Sequence, residues 1–206
     1  MRRHVLVLAA IFALAWTAPA AAQEAWTIDP DHSQVLFFVK HALSHVAGRF
    51  ERFSGDIAFD PDLPEKSRIT FAIMTVSLDT GIERRDRHLL SEDFFDAGKY
   101  PLVHFASDDI RKNPDGTYEA RGALSIKDKV KEIAIPLRFT GKLDSHPAPE
   151  LRCNELLGLE AEFVIDRLDY NVGDASWTKK GLIGKDVRVQ VFLELLRPKP
   201  GCTPPK

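Results

Sequence analysis

Cysteine is nearly missing from this 206-residue chain, which carries only Cys153 and Cys202. Two residues cannot staple a cysteine-rich scaffold or build a thiolate metal cluster. Neither follows the apolar run at the start, so lipid attachment of the bacterial lipoprotein kind has no acceptor. Beyond that run, no stretch approaches the ~20 apolar residues of a membrane-spanning helix. Basic residues are not in excess either: 28 Lys and Arg stand against 30 Asp and Glu. A chain of this charge lacks the clustered cations that neutralise phosphates, so no nucleic acid is expected as a partner. Internal repeats and low-complexity linkers are also absent, and one domain is expected.

What is present begins with an export signal. Arg2 and Arg3 precede an apolar run from Val5 to Trp16, and Ala20-Ala21-Ala22 forms a small-residue cleavage site. Residues 1–22 are read as a signal peptide and residues 23–206 as the mature domain. The arginines sit at the extreme terminus with no polar residue before them, which favours general secretion over twin-arginine export. Removing the leader takes away two arginines and no acids, which lowers the formal charge from −2 to −4. An even cysteine count in an exported protein favours a Cys153–Cys202 disulfide over two unpaired thiols. Closing a loop of that length stabilises by about 4 kcal/mol in the chain-entropy model.

Alternation of apolar and polar residues dominates the rest. Val35, Phe37 and Val39 share one strand face. Ile57 and Phe59 share another, after a segment in which Phe50 and Phe53 are out of phase; a β-bulge there would turn both rings inward. Ile69, Phe71 and Ile73 form a third strand and Leu102–Ile110 a fourth. Asn113-Pro114-Asp115-Gly116 turns into Tyr118, Ala120, Gly122, Leu124 and Ile126. Lys127-Asp128-Lys129 turns into Ile133, Ile135, Leu137 and Phe139. The runs from Leu157 to Ile165 and from Val187 to Leu195 complete about eight strands. Thr80–Ser91 alone reads as helical. The pattern predicts an all-β domain, antiparallel and eight-stranded with one short helix, and leaves open whether it is a sandwich or a barrel.

Several motifs in fixed order carry a resemblance. Ile28-Asp29-Pro30-Asp31-His32-Ser33 is followed by Val39-Lys40-His41 and by Gly48-x-Phe50-x-x-Phe53-x-Gly55. Leu78-Asp79-Thr80, Arg85-Asp86-x-His88-Leu89, Ser91-x-Asp93-Phe94-Phe95-Asp96 and Lys99-Tyr100-Pro101 come next, and Arg167-x-Asp169-Tyr170 and Gly184-x-Asp186-Val187 close the series. With these the chain, from Trp26 to about Leu196, resembles the YceI-like family. The resemblance implies a lipocalin-like antiparallel barrel, often dimeric and commonly periplasmic. Its interior would hold a polyisoprenoid of the prenyl pyrophosphate or quinone type. No catalytic cofactor is implied. Burying an apolar chain stabilises by about 0.8 kcal/mol per CH₂, so a lined tunnel suffices for capture.

On that reading Val35, Phe37, Val39 and His41 line the tunnel on the first strand, and Phe50, Phe53, Ile57 and Phe59 on the second. Phe71, Ile73, Phe105 and Leu124 follow, then Ile135, Leu137 and Phe163, with Arg85 and Phe94 near the mouth. One departure stands out. The family's usual Thr-Ile-His-Gly-Val-Thr-Lys-like hairpin is here Ser125-Ile126-Lys127-Asp128-Lys129-Val130-Lys131, without the histidine. Leu36 and Phe38 place apolar groups on the outer face, which points to a dimer contact.

Other groupings invite sharper readings. His41-x-x-x-His45 has helical metal-ligand spacing, but nothing marks a helix there and no third ligand follows. Asp29, His32 and Ser33 hold the residue types of a hydrolase triad but crowd within five positions, so a polar turn bonding its own backbone explains them better. Arg85, Asp86, His88 and Asp93, next to Arg84, read either as a headgroup site with forked donors or as a network docking the helix. Asp169-x-Asn171-x-Gly173 hints at a calcium loop, yet Lys180 stands at its twelfth position. The leading expectation is a lipid carrier without chemistry, with no catalytic or metal residues. The alternatives are an enzyme on an isoprenoid lipid using His41 or His88, and a protein-interaction module.

Overall fold

The computed structural model describes residues 25–203, so the expected leader at residues 1–22 lies outside the described residues. Chain order is β1 (Thr27–Ile28), β2 (Gln34–His41), β3 (Ser44–Phe50), β4 (Phe53–Ala58), β5 (Arg68–Met74), β6 (Leu78–Asp79) and α1 (Glu83–Leu90). It continues through β7 (Leu102–Lys112), β8 (Tyr118–Ile126), β9 (Lys129–Leu143), β10 (Asn154–Asp166), α2 (Ala175–Lys179) and β11 (Ile183–Pro198). The strands form one sheet in the order β4-β5-β7-β8-β9-β10-β11-β2-β3-β6, with β1 paired to β11.

Among the described residues eleven strands form where alternation predicts eight, because three of the eight are interrupted. The Asp29–Ser33 turn separates β1 from β2, Glu51-Arg52 separates β3 from β4, and a tight turn over Thr75–Ser77 separates β5 from β6. At Glu51-Arg52 the expected bulge is replaced by a change of partner: β3 pairs with β2 and β6, whereas β4 pairs with β5. The corner is held by the Glu51 N–H on the Ser77 carbonyl at 3.0 Å and the Met74 N–H on the Arg52 carbonyl at 2.9 Å. Arg52 N–H adds a bond to Ser77 Oγ at 3.0 Å.

The curled sheet closes on itself through β1. Thr27 and Ile28 pair with Leu196 and Leu195 of β11, while Trp26 bridges to Ile57 of β4, its N–H on the Ile57 carbonyl at 2.7 Å. Trp26 Nε1–H also donates to the Phe59 carbonyl at 3.0 Å. Around this closure lies a solid plug. Phe59 meets Tyr118 edge-on at 5.2 Å, and Ile110, Leu157 and Leu195 beside them are fully buried. The Arg197 guanidinium covers the Trp26 ring at 4.2 Å and pairs with Glu155, which also takes Lys142 at 2.7 Å. Cys153 and Cys202 are joined in a disulfide that ties the C-terminal tail to this end.

The expected helix over Thr80–Ser91 is shorter, since Ile82 keeps extended backbone and α1 starts at Glu83. α2 is an addition. Five residues are too few to show periodicity, and Asp174 caps it by accepting the Ser176 N–H at 2.5 Å.

Trp26→Ala should cost about 3–5 kcal/mol in a denaturant titration, because it removes the ring that seals the closed end. Burial alone would push the Glu155 carboxyl up, but Lys142 and Arg197 outweigh it and hold it below the usual range. A carboxyl that ionises more readily when folded stabilises above its unfolded pKa, and that contribution is lost as pH falls through the folded value. Stability measured against pH should therefore fall less steeply on the acid side in Glu155→Gln than in the parent; parallel acid limbs would contradict this.

Candidate ligand-binding site

Above the plug the inward faces do not meet. They enclose a cavity of about 860 Å³, near the upper end of the 300–1,000 Å³ typical of small-molecule sites. Its wall is almost wholly apolar. Phe37, Val39, Phe163, Val189 and Val191 are only half-buried, because their side chains face the cavity and not one another. Toward the plug Ile57, Leu124 and Leu159 are buried, so the cavity is blind at that end. At the other end it reaches His41, Ile82, Arg84, Arg85, His88 and Trp177. That end is the mouth, and its groups are exposed or half-exposed.

An aromatic series runs along one side. A Cβ at Gly48 would fall 2.2 Å from the Phe37 ring, so glycine is what lets that ring lie flat across β3. Phe37 meets Phe50 at 5.5 Å, and Phe50 meets Phe95 edge-on at 6.0 Å. The series links the barrel wall to the segment that follows α1.

Polar groups gather at the mouth. Arg85 donates from Nε to Thr80 Oγ1 at 2.7 Å and from Nη2 to the Thr80 carbonyl at 2.8 Å. Thr80 N–H donates to Asp86 at 3.0 Å, and His88 Nε2 lies 3.2 Å from Asp93. Part of this cluster thus docks α1. Arg84 is exposed beside it.

Arg167 is a group that sequence reasoning missed. It lines the cavity yet is only 4% exposed. Nε donates to the Gly184 carbonyl at 2.9 Å, Nη1 to the Val172 carbonyl at 2.7 Å and Nη2 to Thr178 Oγ1 at 3.0 Å. Burial pushes its pKa down, partly offset by Asp166 and Asp174, and it has no ion pair among the described residues. These bonds fasten the α2 segment to β11, and two of the five guanidinium N–H groups are left over. Its signal was its place in Arg167-x-Asp169-Tyr170, a motif whose chemistry is invisible until burial is known.

Lys127 was the other silent residue. It takes left-handed backbone, φ 55°, in the two-residue turn between β8 and β9. Its Nζ donates to the Phe94 carbonyl at 2.8 Å and the Asn171 carbonyl at 2.9 Å. One side chain therefore ties the segment after α1 to the segment before α2, on either side of the mouth.

Of the predicted lining residues, Val35, Phe37, Val39, His41 and Phe50 reach the cavity, as do Ile57, Phe71, Ile73, Arg85 and Phe94. Phe105, Leu124, Ile135, Leu137 and Phe163 do so as well. Phe53 and Phe59 do not. Phe53 begins a new strand after the change of partner and stacks on Phe71 at 5.7 Å, while Phe59 belongs to the plug.

The remaining groupings assemble no site in the cavity. His41 and His45 stand on opposite strands of a hairpin, opposite Ser44 and Lys40, so the helical spacing does not apply. Asp29 accepts the Asp31 N–H at 3.0 Å and faces His32 Nδ1 at 3.0 Å. Ser33 Oγ is held by the Glu194 backbone and not by His32. Asp29, His32 and Glu194 place three possible ligand atoms within 4.8 Å of one another, with Asp29 buried and His32 exposed. The Asp169–Gly173 stretch is no calcium loop: Asp169 and Tyr170 end a short 3-10 turn, Arg167–Tyr170, that Asn171 caps in left-handed backbone, and Asp169 pairs with Lys131.

Comparison with known proteins agrees with this geometry. The family model of the YceI-like domain matches residues 26–195. The chain belongs to the YceI-like family. A UPF0312 protein of Yersinia enterocolitica is 30% identical over 190 residues, covering 91% of this chain and 94% of that protein. Among solved structures, Burkholderia cenocepacia BcnA superposes with a TM-score of 0.71 at 23% identity, over 81% of this chain and 98% of that one. A polyisoprenoid binding domain from Saccharophagus degradans, implicated in plant cell wall breakdown, gives 0.63 at 15% identity over 84% and 99%. These likenesses bear on the fold, and they place this YceI-like chain among antiparallel barrels.

Arg167→Met should cost this barrel about 3 kcal/mol in denaturant, since it leaves two carbonyls and a hydroxyl without their donor. Trp177 emission should shift toward that of exposed indole as the α2 segment loosens. Unchanged stability would remove Arg167 from its fastening role.

Proposed function

We propose that this protein is exported to the periplasm and there carries or sequesters a polyisoprenoid, or a lipid of similar length and shape, without altering it chemically. The observation that carries this reading is the blind apolar cavity of about 860 Å³ that ends in a cationic mouth. An isoprenoid tail finds only apolar partners along the wall, and each CH₂ taken from water adds about 0.8 kcal/mol. A polar head of the prenyl pyrophosphate or quinone type would rest at Arg84, Arg85 and the spare donors of Arg167. Membership of a fold shared with a polyisoprenoid binding domain supports the same assignment. Carriage needs no nucleophile, and at the mouth His88 faces Asp93 at 3.2 Å. Homodimerisation through the outer face is part of the proposal, although Phe38 already lies under the Arg188 guanidinium at 4.6 Å.

Two measurements test it. Organic extraction of the protein purified from its own periplasm should release a long-chain lipid near one per barrel, and mass spectrometry should find added prenyl pyrophosphate or quinone recovered unchanged. Val191→Trp places an indole across the middle of the tunnel and should weaken binding at least about tenfold, the equivalent of some 1.4 kcal/mol, with little change in the fold. A barrel that releases no lipid and takes up neither probe would sink the carrier reading.

A further inference from the structure

The exposed apolar groups are not spread evenly over the barrel. Ten large hydrophobic side chains stand exposed among the described residues. Strand direction places Leu63 and Leu143 toward the closed end and the other eight on the mouthward halves of strands or in the connections there. Scattered single apolar groups are ordinary on protein surfaces, but a one-ended distribution is not.

Three of them ring the opening itself. Leu43, at the tip of the β2–β3 hairpin, is 104% exposed, so it touches nothing in its own molecule. Leu182 precedes β11, and its carbonyl accepts the Ala42 N–H at 2.9 Å, which holds the two tips side by side. Ile82, at the head of α1, lines the cavity and is 53% exposed. Interleaved with these tips are cations. Lys40 is the penultimate residue of β2, Lys179 ends α2 and Lys180 caps it, and Arg84 lies in the first turn of α1; none of the four is in an ion pair among the described residues. Apolar tips set among unpaired cations match the chemistry of an anionic phospholipid leaflet, which offers phosphates above and hydrocarbon below.

We propose that the mouth end is a docking surface for an anionic bilayer. Leu43, Ile82 and Leu182 enter the headgroup layer, the lysines and Arg84 meet lipid phosphates, and the tunnel opens directly onto the hydrocarbon. The lipid ligand then passes between membrane and barrel without crossing water. This rests on the carrier reading above, and it adds where the cargo is collected.

The test separates the two. The mature protein is sedimented with vesicles of phosphatidylcholine alone or with phosphatidylglycerol, beside Leu43→Ser/Leu182→Ser and Lys179→Glu/Lys180→Glu variants. Neither pair lines the cavity. In parallel, each protein is titrated with a prenyl quinone dispersed in detergent, and quenching of Trp177 at the mouth reports uptake. The parent should sediment with the anionic vesicles, and each variant should lose about tenfold or more of that association while its uptake from detergent stays as in the parent. That preserved uptake also shows that the variants fold. Docking is overturned if the parent ignores anionic vesicles while taking up quinone, or if both variants sediment like the parent. Dependence on the lysines alone overturns the insertion of the apolar tips. If the parent takes up no quinone from detergent, the carrier reading falls instead, and vesicle sedimentation still decides docking.

Discussion

Trp26 bonds across to Ile57 while Thr27 and Ile28 pair with β11, and this short ladder is what allows the molecule to be hollow. Without it β4 and β11 would present free edges at the closed end, with unpaired backbone groups that cost free energy and invite other chains. A solid core would compensate by packing. Here the side chains that face the cavity forgo contacts worth about 0.1–0.2 kcal/mol per atom pair. The stability lost in the middle must come from the hydrogen-bonded circuit and from one end packed solid. Trp26, Phe59, Tyr118 and Leu195 supply that end, and the Arg197–Glu155–Lys142 group and the disulfide brace it from outside.

The other end follows from the first. Once the plug carries the packing, the mouth is free to be built from separate pieces: the β2–β3 hairpin, α1 with its following turn, and the α2 segment. They are joined by individual polar contacts. Arg167 fastens the α2 segment to β11, Lys127 ties it to the Phe94 carbonyl, and Thr80 holds the head of α1. Such contacts are worth about 0.5–1.5 kcal/mol each when neutral and more when charged. That is enough to set a geometry and too little to lock it, as a site that admits a long ligand requires.

The wall of the barrel was legible in the sequence because a strand shows its inward face every second residue. Val35, Phe37 and Val39, or Phe71 and Ile73, could be placed on one face by counting alone, and the family motifs turned that face into a barrel. Counting failed where the chain changes partner. Nothing in Phe50-Glu51-Arg52-Phe53 distinguishes a bulge from a break, since the difference lies in Ser77 and Met74, more than twenty positions away. α2 was too short to show a period. Arg167 and Lys127 were opaque for a deeper reason: a buried guanidinium and a surface one read alike, and the lysine that replaces a family histidine acquires its role only from two backbone carbonyls that the fold brings to it.

The half-buried inner face also sets how occupancy and stability are coupled. On the carrier reading, a ligand covers Phe37, Val39, Phe163 and Val189 and leaves the plug untouched. Binding to the folded state alone adds about 2.7 kcal/mol at a hundredfold excess over Kd. That increment falls on the mouth half, the half held by single polar contacts. An occupied barrel would therefore be firm throughout, and a barrel that has given up its lipid would be loosest around Arg167, Lys127 and the hairpin tip. These are the pieces that must part for the next molecule to enter. Delivery would thus leave the protein in the state best suited to collection, with the rigid end supplying no more than the frame.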